Sequence, residues 1–595
     1  MPKNYVLGID LGTTNCVVAY APLAGESPEI QLLPIPQLVA PRTVEDRPLL
    51  PSFVYLPRDH EVGEGVFDLP WRKPGDVAVG ELARRNAAAA PERTVAAAKS
   101  WLCHSRVDRR QPILPWNAPD DVAKISPVLA TQRLLEHLVG AWQAAFPDFP
   151  VKDQHVVLTV PASFDASARE LTREAALAAG LPEHLVLLEE PQAAVYAWLD
   201  ERGDRWRRQL KVGDILLVCD VGGGTTDLTL IGVTEESGTL ALRRVAVGDH
   251  LLVGGDNMDL VLAHHAARLF QEKGVTLDPW QSVALWHSCR AAKEALLADD
   301  GPKHQAIAVA GRGSRLVGKS TAVDVDRKIA AELLLDGFLP RAAAADRPIR
   351  RRGSGFQEIG LPFETDTAIT RHLAAFLQAH APEPGRPVRP THVLFNGGVF
   401  KAATFRGRLL EVLAAWAETP PQLLDGPLDL ECAVARGAAF YGWSKEHGGL
   451  RIRGGTARAY YVAIETAGLA VPGAPRPLRA LCVVPVGMEE GTETDVPSGD
   501  IGLVVGEPAQ FRFFNSTVRK QDRPGTWLNS WAPEELAETD SLEATLPAAE
   551  GVEEDYVPVR FHSLITELGM FELWCVHPQS GRRWKFEFSV RDDAT

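Results

Sequence analysis

One short pattern occurs twice in this chain and limits what the fold can be. LGIDLGTTN spans residues 7–15, and DILLVCDVGGGTTDLTLIGV spans 214–233. Each copy is an apolar, β-branched run, then an Asp, then a Gly-rich turn with two Thr, then a second apolar run. Asp10 and Asp220 hold equivalent places, 210 residues apart. A Gly-rich turn lets backbone N–H groups approach phosphate oxygens, because no Cβ intervenes. The Thr hydroxyls add donors, and an Asp can hold a hydrated divalent cation. Two copies in one order, at half-domain spacing, predict two similar half-domains facing each other across one nucleotide.

At 595 residues the chain is too long for a single core, so two to four domains are expected. A hydrophobic content of 45% with 23% charged residues is that of an ordinary globular protein. The net charge of −15 argues against a nucleic-acid partner, since phosphate neutralisation needs a basic surface. Two basic runs, RWRRQLK (205–211) and RPIRRR (347–352), read as solvated loops. The start, MPKNYVLGID, enters a strand at once and has no signal-peptide pattern. No stretch of ~18 uninterrupted apolar residues offers a membrane span. The seven Cys are scattered without a Cys-x-x-Cys pair, which predicts reduced thiols and a cytoplasmic protein. The sixteen His show no metal-ligand spacing.

From residue 5 to about 445 the pattern alternates strand, turn and helix. HVVLTVPASFD (155–165) is a strand, ASARELTREAALAAGL (166–181) a helix and HLVLLEEP (184–191) a strand that leads into the next helix. The grammar returns near 386–445: THVLFNGG is strand and turn, AATFRGRLLEVLAAWA is helix and AVARGAAFYGW is a small-residue helix. This alternation predicts an α/β architecture with largely parallel sheets. Beyond a polar, Gly-rich stretch, SKEHGGLRIRGG (444–455), short alternating runs dominate and predict a β-sandwich. MFELWCVH and RRWKFEFSV form its clearest hairpin candidate. The expected division is 1–445, a linker at 446–456, and 457–595.

Over roughly 1–445 the chain resembles the DnaK-type heat-shock protein 70 family, within the actin-like ATPase superfamily. LGIDLGTTN and VCDVGGGTTD resemble the family's two phosphate loops. VGELARRNAAAAPERTVAAAKSWL (79–102) resembles the segment that delivers its catalytic lysine, here Lys99. LTVPASFDASARE and LLEEPQAA resemble the first connecting region, with Pro161 and Glu190 at family positions. GDHLLVGGDNMD (248–259), FNGGVFK (395–401) and AVARGAAFYGW resemble the second-lobe Gly turn, the adenosine turn and the second connecting region. The implied fold is a two-lobed actin-like ATPase domain followed by an all-β, sandwich-like domain.

The resemblance also implies roles for individual residues. Lys99 would orient the attacking water and stabilise charge on the γ-phosphate. Asp10 and Asp220 would hold Mg²⁺ through its waters. Glu190 would position the water or relay domain contacts. Thr225 would face the γ-phosphate, and Thr13 and Thr14 would contact the β- and γ-phosphates. Gly12, Gly222, Gly223, Gly224, Asp227, Gly255, Lys293, Gly397 and Gly398 complete the implied ATP/ADP site. The implied partners are a client polypeptide and an exchange factor or dedicated co-chaperone, with no membrane.

Several positions depart from the family pattern. In CRAAKEALL (289–297) only Lys293 agrees; Glu294 stands where an Arg normally stacks on adenine, beside Arg290 and Leu297. Val399 replaces a turn Ser, and Lys401 replaces another Arg. Val186 and Glu189 replace an Arg and an Asn on the face that meets J-domain co-chaperones. About 150 residues follow the ATPase region, which leaves no room for the family's helical lid. The leading reading is a lidless chaperone-type ATPase. A nucleotide-gated scaffold with little turnover and an actin-superfamily small-molecule kinase stand as alternatives.

Overall fold

The computed structural model describes residues 4–588 apart from short stretches, the longest being 310–320, 350–360, 467–476 and 546–555. The chain divides into two compact units, Met1–Phe164 with Leu171–Arg451 and Asp165–Glu170 with Ile452–Thr595. No helix among the described residues is long and apolar enough to cross a membrane.

The first unit is built on two sheets of matching design. In one, Tyr5–Leu11 pairs in parallel with His155–Val160, which pairs in parallel with Val186–Glu189. On its other side Tyr5–Leu11 pairs antiparallel with Asn15–Pro22. In the other sheet, Ile215–Val221 pairs in parallel with His392–Asn396 and antiparallel with Thr226–Glu236, which continues antiparallel to Thr239–Val247. The sheets are therefore mixed, not largely parallel. Each Gly-rich turn is too short for a crossover helix, so the second apolar run folds back beside the first as a hairpin. Asp10 stands opposite Val17, and Asp220 opposite Asp227.

Small residues bring the helix Ala433–Glu446 onto the first sheet. A Cβ on Gly8 would overlap the backbone of Ala435 and Ala439. One on Gly437 would overlap the backbone carbonyl of Ala193, in the helix Glu190–Arg202. That helix has nine consecutive buried residues, Pro191 to Leu199, and so cannot show the amphipathic stripe of a surface helix. The helix Ala433–Glu446 also runs through Ser444, Lys445 and Glu446, the start of the stretch read as linker. Residues 450–451 and 454–455 of that stretch lie outside the described residues. The basic run 205–211 is not wholly loop: Trp206–Gln209 is a helical turn with Trp206 buried. Of the other basic run, residues 350–352 lie outside the described residues.

The second unit is two antiparallel sheets around a shared core. Ala459–Glu465, Leu478–Val484 and Phe513–Ser516 form the centre of one. Tyr556–Ile565, Phe571–Val576 and Arg583–Phe588 form the centre of the other. Val462, Leu481, Val483 and Phe513 from the first meet Val559, Phe561, Leu573 and Phe586 from the second. The neighbours Tyr461, Cys482 and Phe514 point to the opposite face and build a smaller cluster with Leu528 and Leu536. This period-2 alternation is what a sandwich requires of each strand.

Candidate active site

The hairpin turns of the first unit's two sheets meet face to face. In the first turn, the Ser52 hydroxyl donates to the Gly12 carbonyl at 2.6 Å. In the second, Gly222 N–H donates to the Thr225 carbonyl at 2.9 Å. A Cβ on Gly223 would collide with the Thr14 hydroxyl, and one on Gly224 would sit 2.9 Å from Thr13 Cγ2. The glycines are thus needed for the turns to approach one another. The helix Gly255–Glu272 starts on the second turn, with Gly255 N–H on Gly222 O (3.0 Å) and Asp256 N–H on Gly223 O (2.7 Å). Gly397, at φ +87°, brings a third turn against Val221 and Asp220.

Lys99 enters from a broken segment, not from one long Ala-rich helix. The chain runs through the helix Glu81–Ala89, a 3-10 turn and the two-residue strand Thr94–Val95 before the short helix Ala98–Leu102. Ala97 turns it with a left-handed φ of 54°. Lys99 is 7% exposed and pairs with Glu190, the first residue of the helix Glu190–Arg202.

Between the turns lies a cavity of about 510 Å³, within the range that encloses a small ligand. Asp10, Gly12, Thr13, Thr14, Lys99, Glu190, Asp220, Gly222, Gly223 and Thr225 line one end. Gly255, Lys293, Glu294, Leu297, Gly397, Gly398, Val399 and Lys401 line it further along. Gly224 and Asp227 stand behind this wall: Gly224 packs on Thr13 and Ser100, and Asp227 accepts from the Ser163 hydroxyl at 2.5 Å.

Negative charge is in excess here. Burial, then the charge of Glu190, pushes the Asp10 carboxyl up to about 7. The same two causes, in that order, push Asp220 well above the usual carboxylate range. Asp220 also accepts from the Asn396 amide at 2.7 Å, and Asp10 from the Thr159 hydroxyl at 3.3 Å. Burial works against the charge of Lys99, but Glu190 and Asp10 overcome it and hold the ammonium protonated. No cluster of three or more His, Cys, Asp or Glu able to hold a metal occurs among the described residues. Two carboxylates with unmet demand for positive charge suit Mg²⁺ instead, which keeps several waters and takes its other oxygens from phosphates. The Asn396 side-chain oxygen, buried without a hydrogen-bond partner among the described residues, adds a further hard donor at that end.

Residues 71–308 match the family described as Hsp70 protein, a stretch that holds Lys99, Glu190, Asp220, Asp227 and Lys293. That stretch is of the Hsp70 family. The chaperone protein HscA of Pectobacterium carotovorum subsp. carotovorum is 32% identical over 323 residues, which cover 52% of this chain and 44% of that protein. An HscA homolog of Bordetella petrii is 30% identical over 304 residues, 49% of this chain and 42% of that protein. The chaperone protein DnaK of Thermus thermophilus is 26% identical over 430 residues, 68% of this chain and 62% of that protein. The chain thus spans less than two thirds of each of these relatives.

At the far end of the cavity, the cations are spent internally. Arg290 bonds Asp256, and also Asp259 at 3.0 Å. Lys293 bonds Asp259 at 2.6 Å and the Gly255 carbonyl at 2.9 Å. Lys401 bonds Glu431 at 2.5 Å. Glu294, by contrast, is exposed on the cavity wall. The sequence reading missed Ser52, Asn396, Asp259, Ser163 and His250. All but Ser52 lie within segments that carried the resemblance, and Asn396 directly precedes the Gly397–Gly398 turn.

Proposed function

We propose that this chain is an ATP-dependent chaperone of the Hsp70 kind. It would bind ATP between the two sheets of its first unit, hydrolyse it slowly, and use the cycle to control a client polypeptide held by the β-rich region 457–595. One observation carries the reading: a buried, protonated Lys99 stands at the same end of the cavity as both Gly-rich turns and two electron-rich carboxylates.

Phosphoryl transfer to water needs positioning and charge neutralisation more than covalent help. The turn glycines offer N–H groups to the phosphate chain, and the hydroxyls of Thr13, Thr14 and Thr225 add donors. Lys99 faces the terminal phosphate, orients the water for in-line attack and offsets charge as the bond to the leaving ADP oxygen breaks. Glu190 keeps Lys99 charged and aimed. Asp10 and Asp220 would hold Mg²⁺, which supplies charge neutralisation on the phosphate oxygens. The proposed division of labour is 1–445 as ATPase, 446–456 as linker and 457–595 as client-binding region.

The test is Lys99→Ala. Hydrolysis of Mg²⁺-ATP should disappear while ATP binding stays within about tenfold, because the ammonium acts mainly in the transition state. Unchanged turnover would refute the assignment. Nucleotide binding with no turnover in the unaltered chain would favour a nucleotide-gated scaffold.

A further inference from the structure

Behind Lys99 lies a second polar chain that the proposed mechanism does not use. The Ser163 hydroxyl is 2.5 Å from Asp227 Oδ1 and 2.6 Å from His250 Nδ1. Asp227, 2% exposed, also accepts from the Ser163 backbone N–H. The Phe164 ring stands edge-on to the His250 ring, with centroids 6.0 Å apart.

A serine hydroxyl has one hydrogen and here two neighbours that can accept it. Both contacts are met at once when Ser163 donates to the ionised Asp227 and His250 Nδ1–H donates to Ser163. The chain then runs in one direction, histidine to serine to carboxylate, and each link polarises the next. It also crosses the cleft. Ser163 follows the strand His155–Val160 of one sheet, while Asp227 and His250 belong to the strand Thr226–Glu236 and to the loop after Thr239–Val247 of the other. Asp227 feels the charge of Lys99, and Lys99 that of Asp227.

We propose that Ser163 and His250 are positioning residues for the hydrolytic step: they fix the Asp227 carboxylate on the flank of Lys99, and only when the two sheets are closed on one another. The inference rests on the ATPase reading. Asp227 is set from the first sheet through Ser163 and from the second by its own strand. A shift between the sheets therefore releases the carboxylate and lets the ammonium drift from the terminal phosphate.

The experiment compares Ser163→Ala, His250→Leu, the double variant and Ser163→Thr with the unaltered chain. Single-turnover hydrolysis, nucleotide affinity and melting temperature are measured for each. Each single change should slow hydrolysis by roughly ten- to a hundredfold, the scale of a misplaced catalytic group. Affinity should stay within about threefold, as expected when only transition-state contacts are lost. Because the links act in series, the double variant should be little slower than the worse single one. Thr should restore most of the rate lost with Ala, at a melting temperature shared by the two. Losses that multiply, a Thr variant no faster than Ala, or unchanged rates would overturn the proposal. If the unaltered chain shows no hydrolysis that Lys99→Ala removes, the ATPase reading itself fails and the inference falls with it.

Discussion

Lys99 and Glu190 lie 91 residues apart in sequence and form a buried ion pair between the two Gly-rich turns. Neither charge would survive burial alone. Yet the pair is not isolated, since Asp10, Asp220 and Asp227 crowd the same space and work against a second carboxylate. Glu190→Gln should therefore slow hydrolysis by roughly a hundredfold, as Lys99 loses its aim. It should cost less stability than the ~3–5 kcal/mol of a lone broken buried pair, because repulsion on Asp10 and Asp220 is relieved. Single-turnover kinetics and denaturant titration check both halves.

The Asp10 carboxyl, raised from 3.8 to about 7 by burial and by Glu190, should make the proposed nucleotide binding sensitive to pH. The folded, ligand-free protein keeps a proton that the unfolded chain gives up. Stability from this group should therefore fall as pH rises from about 4 to about 7. Mg²⁺ needs the ionised carboxylate, so Mg²⁺-ATP should bind more tightly over the same rise and release a proton on binding. Melting curves at pH 5.5 and 8, with and without Mg²⁺-ATP, should show the ligand's stabilising effect growing with pH. An effect equal at both values would refute the assignment of Asp10 as a ligand.

Base discrimination should be weak. Arg290 and Lys293 are consumed by Asp256, Asp259 and the Gly255 carbonyl, while Glu294, Leu297 and Val399 line the far end of the cavity. One missing buried hydrogen bond is worth ~1–3 kcal/mol. Competition binding of ATP and GTP should show less than about a thousandfold preference for ATP; a larger ratio would mean that other groups read the base.

Little stimulation by a generic J-domain protein is expected. Val186 is buried in the strand Val186–Glu189, and Glu189 is 5% exposed with its carboxylate held by Arg244 and Gln192. Those two positions offer neither a cation nor an amide to a docking helix. An ATPase assay with and without such a protein decides the point, and stimulation of tenfold or more would contradict it.

Gly437→Ala should destabilise the first unit by about 2–3 kcal/mol, the usual cost of overpacking, because the added Cβ would overlap the backbone carbonyl of Ala193. Chemical denaturation followed by tryptophan fluorescence measures it directly.

Some of this arrangement is legible in the residue string. A Gly-rich turn after a β-branched run reports its own conformation, so the turns at Asp10 and Asp220 and the helix entered at Glu190 could be read locally, whereas 248–259 was read only as a Gly turn. The alternation along Phe571–Val576 and Arg583–Phe588 likewise announces a hairpin. Sheet direction could not be read so well, since an apolar run does not say which neighbour it pairs with; Thr226–Glu236 turned back on Ile215–Val221 instead of crossing over. Ser52 left no trace, and Ser163 and His250, though inside quoted motifs, showed no role of their own, because a single serine or histidine has no period and its partners lie far along the chain. The internal capture of Arg290 and Lys293 was equally hidden, because it depends on Asp256 and Asp259 reaching across from a different helix.

The contact of Gly8 with Ala435 and Ala439 has a consequence for how the protein is made. The strand bearing Asp10, Tyr5–Leu11, leaves the ribosome long before the helix that covers it, Ala433–Glu446. At ordinary translation speeds of ~5–20 residues per second the two are separated by about 20 to 80 seconds. Through that interval the apolar face around Val6 and Gly8 has no native cover and is open to non-native contacts.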